Sequence, residues 1–282
     1  MSVTPETSAR ATVTVPRHVF VGGLHRSGTT PLARWLAEHP QVSGFAGTGV
    51  PEDEGQHLQQ VYPVASSHGG PGTFAFTPAA HLTERSPLVD DLTRARLDAA
   101  WEPHWNTGRP VLLEKSPPNL IMARFLQAVY PGAAFVMVCR HPGAVAMATR
   151  KWAGPLKHVR VHDLVRHWLV AYELFVADAV ELDRVLLVRY EDLVGEPDRE
   201  LARIQRFLGL DPVDLQVEAR TGLNDGYERQ WRANPAQALY GQAIARRYER
   251  RVRRFGYSLE DWSAVPAPSW DVAAVLTGKG GG

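Results

Sequence analysis

Cysteine, lysine and long apolar runs are all scarce in these 282 residues. The single cysteine, Cys139, lies inside an apolar run, which excludes a disulfide framework and a cysteine-built metal cluster and fits a reducing compartment. No run of about 18 or more apolar residues occurs, so no membrane-crossing helix is expected. Residues 1–16 lack the apolar stretch of a secretion signal, and a cytoplasmic location with no membrane partner follows as the expectation. A net charge of only +1 removes any global electrostatic reason for a nucleic acid partner, so an anion would have to be held locally. Four lysines stand against 27 arginines, which makes Lys115, inside a motif, conspicuous.

What is present is enough apolar residue, 44%, for one α/β domain with a full core. Residues 1–16 read as a disordered arm, 17–265 as the domain, and 266–282, ending in TGKGGG, as a flexible tail. Apolar runs at 18–23, 111–114, 134–140 and 184–190 are nearly continuous, as in strands of a parallel sheet buried on both faces. Helical patterns alternate with them at 30–38, 52–62, 117–130, 142–151, 161–180, 197–208 and 236–255. This alternation predicts a central parallel sheet flanked by helices, with ligands at the carboxyl ends of the strands. The stretch 63–110, rich in Pro, Gly and His, fits the sheet least and is expected to shape a pocket.

After the first strand comes GGLHRSGTT, in which Gly23 and Gly28 have the spacing of a phosphate-binding loop ahead of a helix. A nucleotide triphosphatase would need Lys after the second Gly, but Thr29 and Thr30 follow it. The cation sits inside the loop as Arg26, and the third strand run ends in Arg140 where an Mg²⁺-holding Asp would stand. Both features point away from triphosphate and metal. RHPGAVAMATRK, 140–151, brings an arginine to a strand end and a proline to a helix start, a second place for an anion. RYEDL, 189–193, offers the ring of Tyr190 to a base.

HRSGTT, EKSPPN at 114–119, RHPGAVAMATRK and RYEDL, in that order over about residues 17–208, resemble the sulfotransferases that use 3'-phosphoadenosine 5'-phosphosulfate (PAPS). The RSGTT loop is similar to that of the tyrosylprotein and bacterial branch. The resemblance implies a P-loop-like fold and PAPS as co-substrate, without a metal. It implies Arg26, Ser27, Gly28, Thr29 and Thr30 around the 5'-phosphosulfate, Arg140 on the 3'-phosphate and Tyr190 near the adenine. Where the family has a Ser that also binds the 3'-phosphate, this chain has Ala148 followed by Thr149, and Thr149 is the expected substitute.

In-line sulfonyl transfer builds charge on the leaving phosphate, which Arg26, the loop amides and Lys115 would stabilise at up to ~3 kcal/mol per donor. Lys115 resembles the Lys of the KTH segment in cytosolic relatives, whereas the place of their catalytic His is Pro117. The tyrosylprotein branch has its catalytic Glu at about the place of PEDEGQH, 51–57, so the resemblance implies a base in that segment, with Glu54 favoured, then Glu52, then His57. The same acids after Pro51 also read as an ordinary helix N-terminus. His25 and His141, flanking the two anion motifs, read equally well as loop residues. In the arginine-rich stretch 243–255, Ile244, Tyr248, Val252 and Phe255 are spaced to face the core, leaving the arginines in solvent. Arg229, Trp231 and Arg232 are candidates for a loop over the nucleotide. Trp101, Trp105, Phe74 and Phe76 line either an acceptor pocket or the core. The activity expected is transfer of a sulfonate to a hydroxyl of a metabolite, sugar or peptide tyrosine. A small-molecule kinase and a non-catalytic nucleotide-binding module are the alternatives.

Overall fold

The computed structural model describes residues 17–152 and 160–280; the stretch 1–16, expected to be an arm, lies outside the described residues. Along the chain run β1 (His18–Gly23), α1 (Thr29–Ala37), β2 (Val42–Gly44), α2 (Thr93–Trp101), β3 (Val111–Lys115), α3 (Ala123–Val129), β4 (Ala134–Cys139) and α4 (Pro142–Trp152). Then follow α5 (Val161–Ala179), β5 (Val185–Arg189), α6 (Tyr190–Gly195), α7 (Pro197–Leu208), α8 (Leu223–Trp231), α9 (Pro235–Arg253) and α10 (Trp270–Thr277). The strands form one parallel sheet in the order β2-β3-β1-β4-β5.

Both sheet faces are covered, which explains the continuous apolar runs. Period-two alternation sends Phe20, Leu112, Phe135 and Met137 to a core shared with α3 and α5. It sends Val19, Val21, Leu113, Val136 and Val138 to a second core shared with α1 and α7. In-register pairing of Val21 with Lys115, Gly23 with Val138 and Cys139 with Arg189 brings the carboxyl ends of four strands to one rim. Ile244, Tyr248, Val252 and Phe255 are buried as their spacing predicts, and Arg246, Arg247, Arg250, Arg253 and Arg254 face solvent.

Three expectations need correction. The helix expected over 52–62 is two single 3-10 turns, Pro51–Asp53 and Gly55–His57, because Glu52 and Asp53 take left-handed backbone angles. The amides of Gly55 and Gln56 bond to the Glu114 and Ser116 side chains instead of continuing a helical ladder. The 117–130 helix starts as a 3-10 segment, Pro117–Ile121, and becomes α-helical only in α3. Finally, residues 270–277 of the supposed tail form α10, which buries Val272 and Val275, and Lys279 makes two backbone hydrogen bonds to Val185 at 2.8 and 3.1 Å.

Removal of residues 269–282 is expected to lower the unfolding free energy by about 3 kcal/mol, the worth of one or two valine side chains withdrawn from water. Urea unfolding of the shortened chain measures it; an unchanged midpoint would restore the description of this segment as a tail.

Candidate active site

The rim of strand ends borders an open cleft of ≈ 600 Å³. On one side lies the turn after β1, where the Ser27 amide donates to the Leu24 carbonyl at 3.0 Å and Arg26 and Gly28 adopt φ of 69° and 106°. Gly28 is obligatory, since a Cβ there would lie 2.5 Å from Cδ2 of the Tyr190 ring. The turn leads directly into α1, whose N-cap, Gly28, provides no side-chain cap for the first amides of the helix. Arg26, Gly28, Thr29 and Thr30 line the cleft, whereas Ser27 is wholly buried beneath the turn. Desolvation lowers the Arg26 pKa from its ordinary value, and the charge of Glu52 opposes that shift.

The end of β4 contributes Arg140, only 5% exposed. Its Nε donates to Asn224 Oδ1 at 2.9 Å and its Nη1 to the Arg26 carbonyl at 3.0 Å, so it ties the second motif to the first. The guanidinium lies 4.1 Å from the centre of the Tyr190 ring. Its Nη2 is buried without a hydrogen-bond partner, a donor left for an anion. Because Gly28 and Arg140 both press on Tyr190, that ring holds the arginine in place as well as facing the cleft.

The acidic triplet divides three ways. The Asp53 carboxylate accepts from the amide and hydroxyl of Thr48 and serves the turn. Glu52 lines the cleft and offers its carbonyl to Lys115 Nζ at 2.8 Å. Glu54, 6% exposed, also lines the cleft; Oε1 lies 3.1 Å from Lys115 Nζ and Oε2 accepts from Gln56 Nε2 at 2.6 Å. His57 Nε2 stands 3.7 Å from Glu54 Oε2. Lys115 itself borders a smaller adjoining cavity, into which Thr30 also reaches. Two of the three donors of its ammonium are used on Glu52 and Glu54.

Beneath this pair is a residue that the sequence reading missed. Alternation along β3 sends Lys115 to the face of Leu113 and Glu114 to the opposite face, where it is completely buried. Its carboxyl group accepts from the Gly55 amide at 3.0 Å, the Ser116 hydroxyl at 2.6 Å and Asn119 Nδ2 at 2.5 Å. Burial pushes its pKa up to about 7 against these hydrogen bonds. An ionisable residue in the penultimate position of an otherwise apolar strand was the available signal.

Several candidates lie elsewhere. Ala148 lines the cleft, while Thr149 is buried, its methyl facing Gly72, so α4 is not rotated to bring Thr149 in. His141 is buried and bonded to the Ser258 carbonyl, and its pKa falls to about 4 by desolvation. His25 does line the cleft; desolvation and the charges of Lys115 and Arg26 push its pKa down to about 3. Trp101, Trp105 and Phe74 belong to the core, with Trp101 Nε1 bracing the Gly55 carbonyl at 3.0 Å, and the Arg166 guanidinium covers Phe76. Arg229 and Arg232 do not line the cleft, and Trp231 packs under α9 at Gly241. Arg220, Leu223 and Tyr227 line it instead, and most of the stretch 226–237, expected as a loop, lies in α8 and the start of α9.

Against known proteins, a sequence profile described as "Sulfotransferase family" matches residues 16–214. The chain belongs to the sulfotransferase family. The nodulation protein NoeE of Sinorhizobium fredii is 27% identical over 223 residues, 71% of this chain and 52% of NoeE. Protein-tyrosine sulfotransferase 2 of Gallus gallus is 26% identical over 202 residues, 70% of this chain and 52% of that protein. The chain thus spans about half the length of the curated relatives it matches. Among solved structures, the sulfotransferase STF1 of Mycobacterium tuberculosis aligns with a TM-score of 0.49 and 18% identity over 84% of this chain and 77% of that one. The matched stretch includes Arg26, Lys115, Arg140 and Tyr190 and stops short of α8.

Glu114 makes a pH prediction for this sulfotransferase-family chain. Its folded pKa, about 7, lies above the ordinary 4.5, so the unfolded chain releases the proton first and stability falls as pH rises through that window. Glu114→Gln removes this titration. Relative to wild type, the variant should gain on the order of 2–3 kcal/mol between pH 4.5 and 8, read from urea unfolding at the two pH values. A difference independent of pH would remove Glu114 as the titrating group.

Proposed function

We propose that the chain is a PAPS-dependent sulfotransferase acting on a hydroxyl-bearing acceptor, with Glu54 as general base. The observation that carries this reading is the shared cleft. Arg140, with an unpartnered buried Nη2, and the uncapped start of α1 border the same space as Glu54. The residues suit the donor: two separate anion-binding corners answer to its two phosphate positions, and Tyr190 and Tyr227 flank Arg140 at 4.1 and 5.5 Å, where a purine would be met by rings. Ala148 supplies no hydroxyl, so the 3'-phosphate would depend chiefly on Arg140.

PAPS supplies an activated sulfonate whose leaving group is a phosphate. Glu54 would accept the acceptor hydroxyl proton as the oxygen–sulfur bond forms and the bond from sulfur to the phosphate oxygen breaks. Arg26 and the amides of Thr29 and Thr30 would face the charge that develops on that phosphate. Lys115 holds the Glu54 carboxylate and, with Thr30, lines the adjoining cavity. The acceptor class proposed is a hydroxyl of a metabolite, sugar or tyrosyl peptide.

A kinase is disfavoured by Thr29 in place of the phosphate-loop Lys and by Arg140 in place of the Asp. A non-catalytic module has no use for a nearly buried Glu54–Lys115 pair opening on the ligand cleft.

Glu54→Gln should lower kcat for transfer of labelled sulfonate from PAPS by about 10²–10⁴-fold, measured with a tyrosyl peptide, a phenol and an oligosaccharide as trial acceptors. Calorimetry should show PAPS affinity within a few-fold of wild type. Tighter binding of Mg-ATP than of PAPS by the wild-type chain, or full turnover in the variant, would overturn the assignment.

A further inference from the structure

Arg140 is held by a residue outside the matched family region. Asn224, in the first turn of α8, accepts from Arg140 Nε at 2.9 Å and donates through Nδ2 to Glu191 Oε1 at 2.7 Å. The orientation of this amide is fixed by Arg140, because a guanidinium can only donate, which assigns Oδ1 to Nε and leaves Nδ2 for Glu191. Glu191 is in turn fixed from two further directions. Its Oε1 takes the His141 amide at 3.0 Å and its Oε2 the Tyr257 hydroxyl at 2.8 Å. With Nε on Asn224 and Nη1 on the Arg26 carbonyl, rotation of the guanidinium is blocked and Nη2 is the nitrogen left over.

We infer that Asn224 is a positioning residue that orients Arg140 so that Nη2 is presented to the 3'-phosphate of the nucleotide. The inference rests on the proposed placement of that phosphate at Arg140. It explains three otherwise separate facts: Ala148 can stand where a second phosphate-binding hydroxyl is absent, Glu191 of the RYEDL segment is turned inward, and α8 packs on α4 beside the nucleotide cleft. Asn224 also insulates Arg140 from Glu191. A direct ion pair between them would draw the guanidinium toward the carboxylate, whereas the intervening amide passes a hydrogen bond on without consuming Nη2. Only an amide of this length bridges a donor and an acceptor in this way; aspartate would set two carboxylates against each other and bring a negative charge toward the phosphate.

The discriminating experiment is calorimetric titration with 3'-phosphoadenosine 5'-phosphate and with adenosine 5'-phosphate. It is applied to wild type, Arg140→Ala, Asn224→Ala and Asn224→Asp, with melting temperatures recorded for all four. Wild type should prefer the bisphosphate and Arg140→Ala should abolish the preference. Asn224→Ala should weaken the bisphosphate about tenfold or more, the usual loss when a partner orienting a ligand-binding group is removed. It should leave adenosine 5'-phosphate within about twofold. Asn224→Asp should weaken the bisphosphate at least as much. If Arg140→Ala is weak but both Asn224 variants bind the bisphosphate like wild type, the inference fails while the PAPS reading stands. Equal losses for both ligands would likewise overturn it, since that is the result of a merely structural role. No wild-type preference for the bisphosphate would bring down the PAPS reading and the inference with it.

Discussion

A parallel sheet buried on both faces can place polar side chains only at the ends of its strands, and this constraint organises the whole molecule. β1, β3, β4 and β5 carry apolar residues along their lengths and end in Gly23, Lys115, Cys139 with Arg140, and Arg189 with Tyr190. Parallel register puts those four ends side by side. Glycine, cation and aromatic ring therefore meet at one rim although they are far apart in the chain. The rim reverses direction about β1, which pairs with β3 on one side and β4 on the other, and a cleft forms where connections leave in opposite senses.

Buried polar contacts then join the connections to one another. Glu114 and Ser116 receive the amides of Gly55 and Gln56, which replaces a helical ladder by bonds to β3 and carries Glu54 over the strand end to Lys115. Arg140 and Glu191 do the same on the far side, through Asn224, His141 and Tyr257. Each half of the cleft is thus held by one carboxylate that accepts several bonds, Glu114 fully buried and Glu191 partly so, and such networks are demanding because every unmet donor is expensive away from water. The Nη2 of Arg140 is one buried donor left without a partner, on a residue that lines the cleft.

Backbone strain has the same address. Among the described residues, the non-glycine positions with positive φ are Arg26, Glu52 and Asp53. Arg26 and Glu52 line the cleft and Asp53 borders the cavity beside it. Left-handed angles at such residues cost of order 1 kcal/mol or more each and persist only where surrounding bonds enforce them. Here the Thr48 bonds to Asp53 and the Lys115 bond to the Glu52 carbonyl do so, and the Glu54 carboxylate is turned inward as a result.

Local chemistry was enough for the sequence to determine the sheet class, the glycine turn between β1 and α1, Arg140 and Tyr190 at strand ends, and the solvated arginines of α9. All of these follow from apolar periodicity, glycine spacing and the place where a buried strand stops. Glu54 and Lys115 were also legible as residues, but their contact was not, because 61 positions separate them. The broken turn at 51–57, the burial of Thr149, the helix at 270–277 and the entry of α8 into the cleft were decided by tertiary structure. In each case a backbone or side chain found a better partner from a distant segment than its neighbours offered: Glu114 for Gly55, Gly72 for Thr149, Val185 for Lys279 and Arg140 for Asn224. Local propensity carries no record of such long-range competition, and it is this competition that turned a recognisable rim of strand ends into a shaped site.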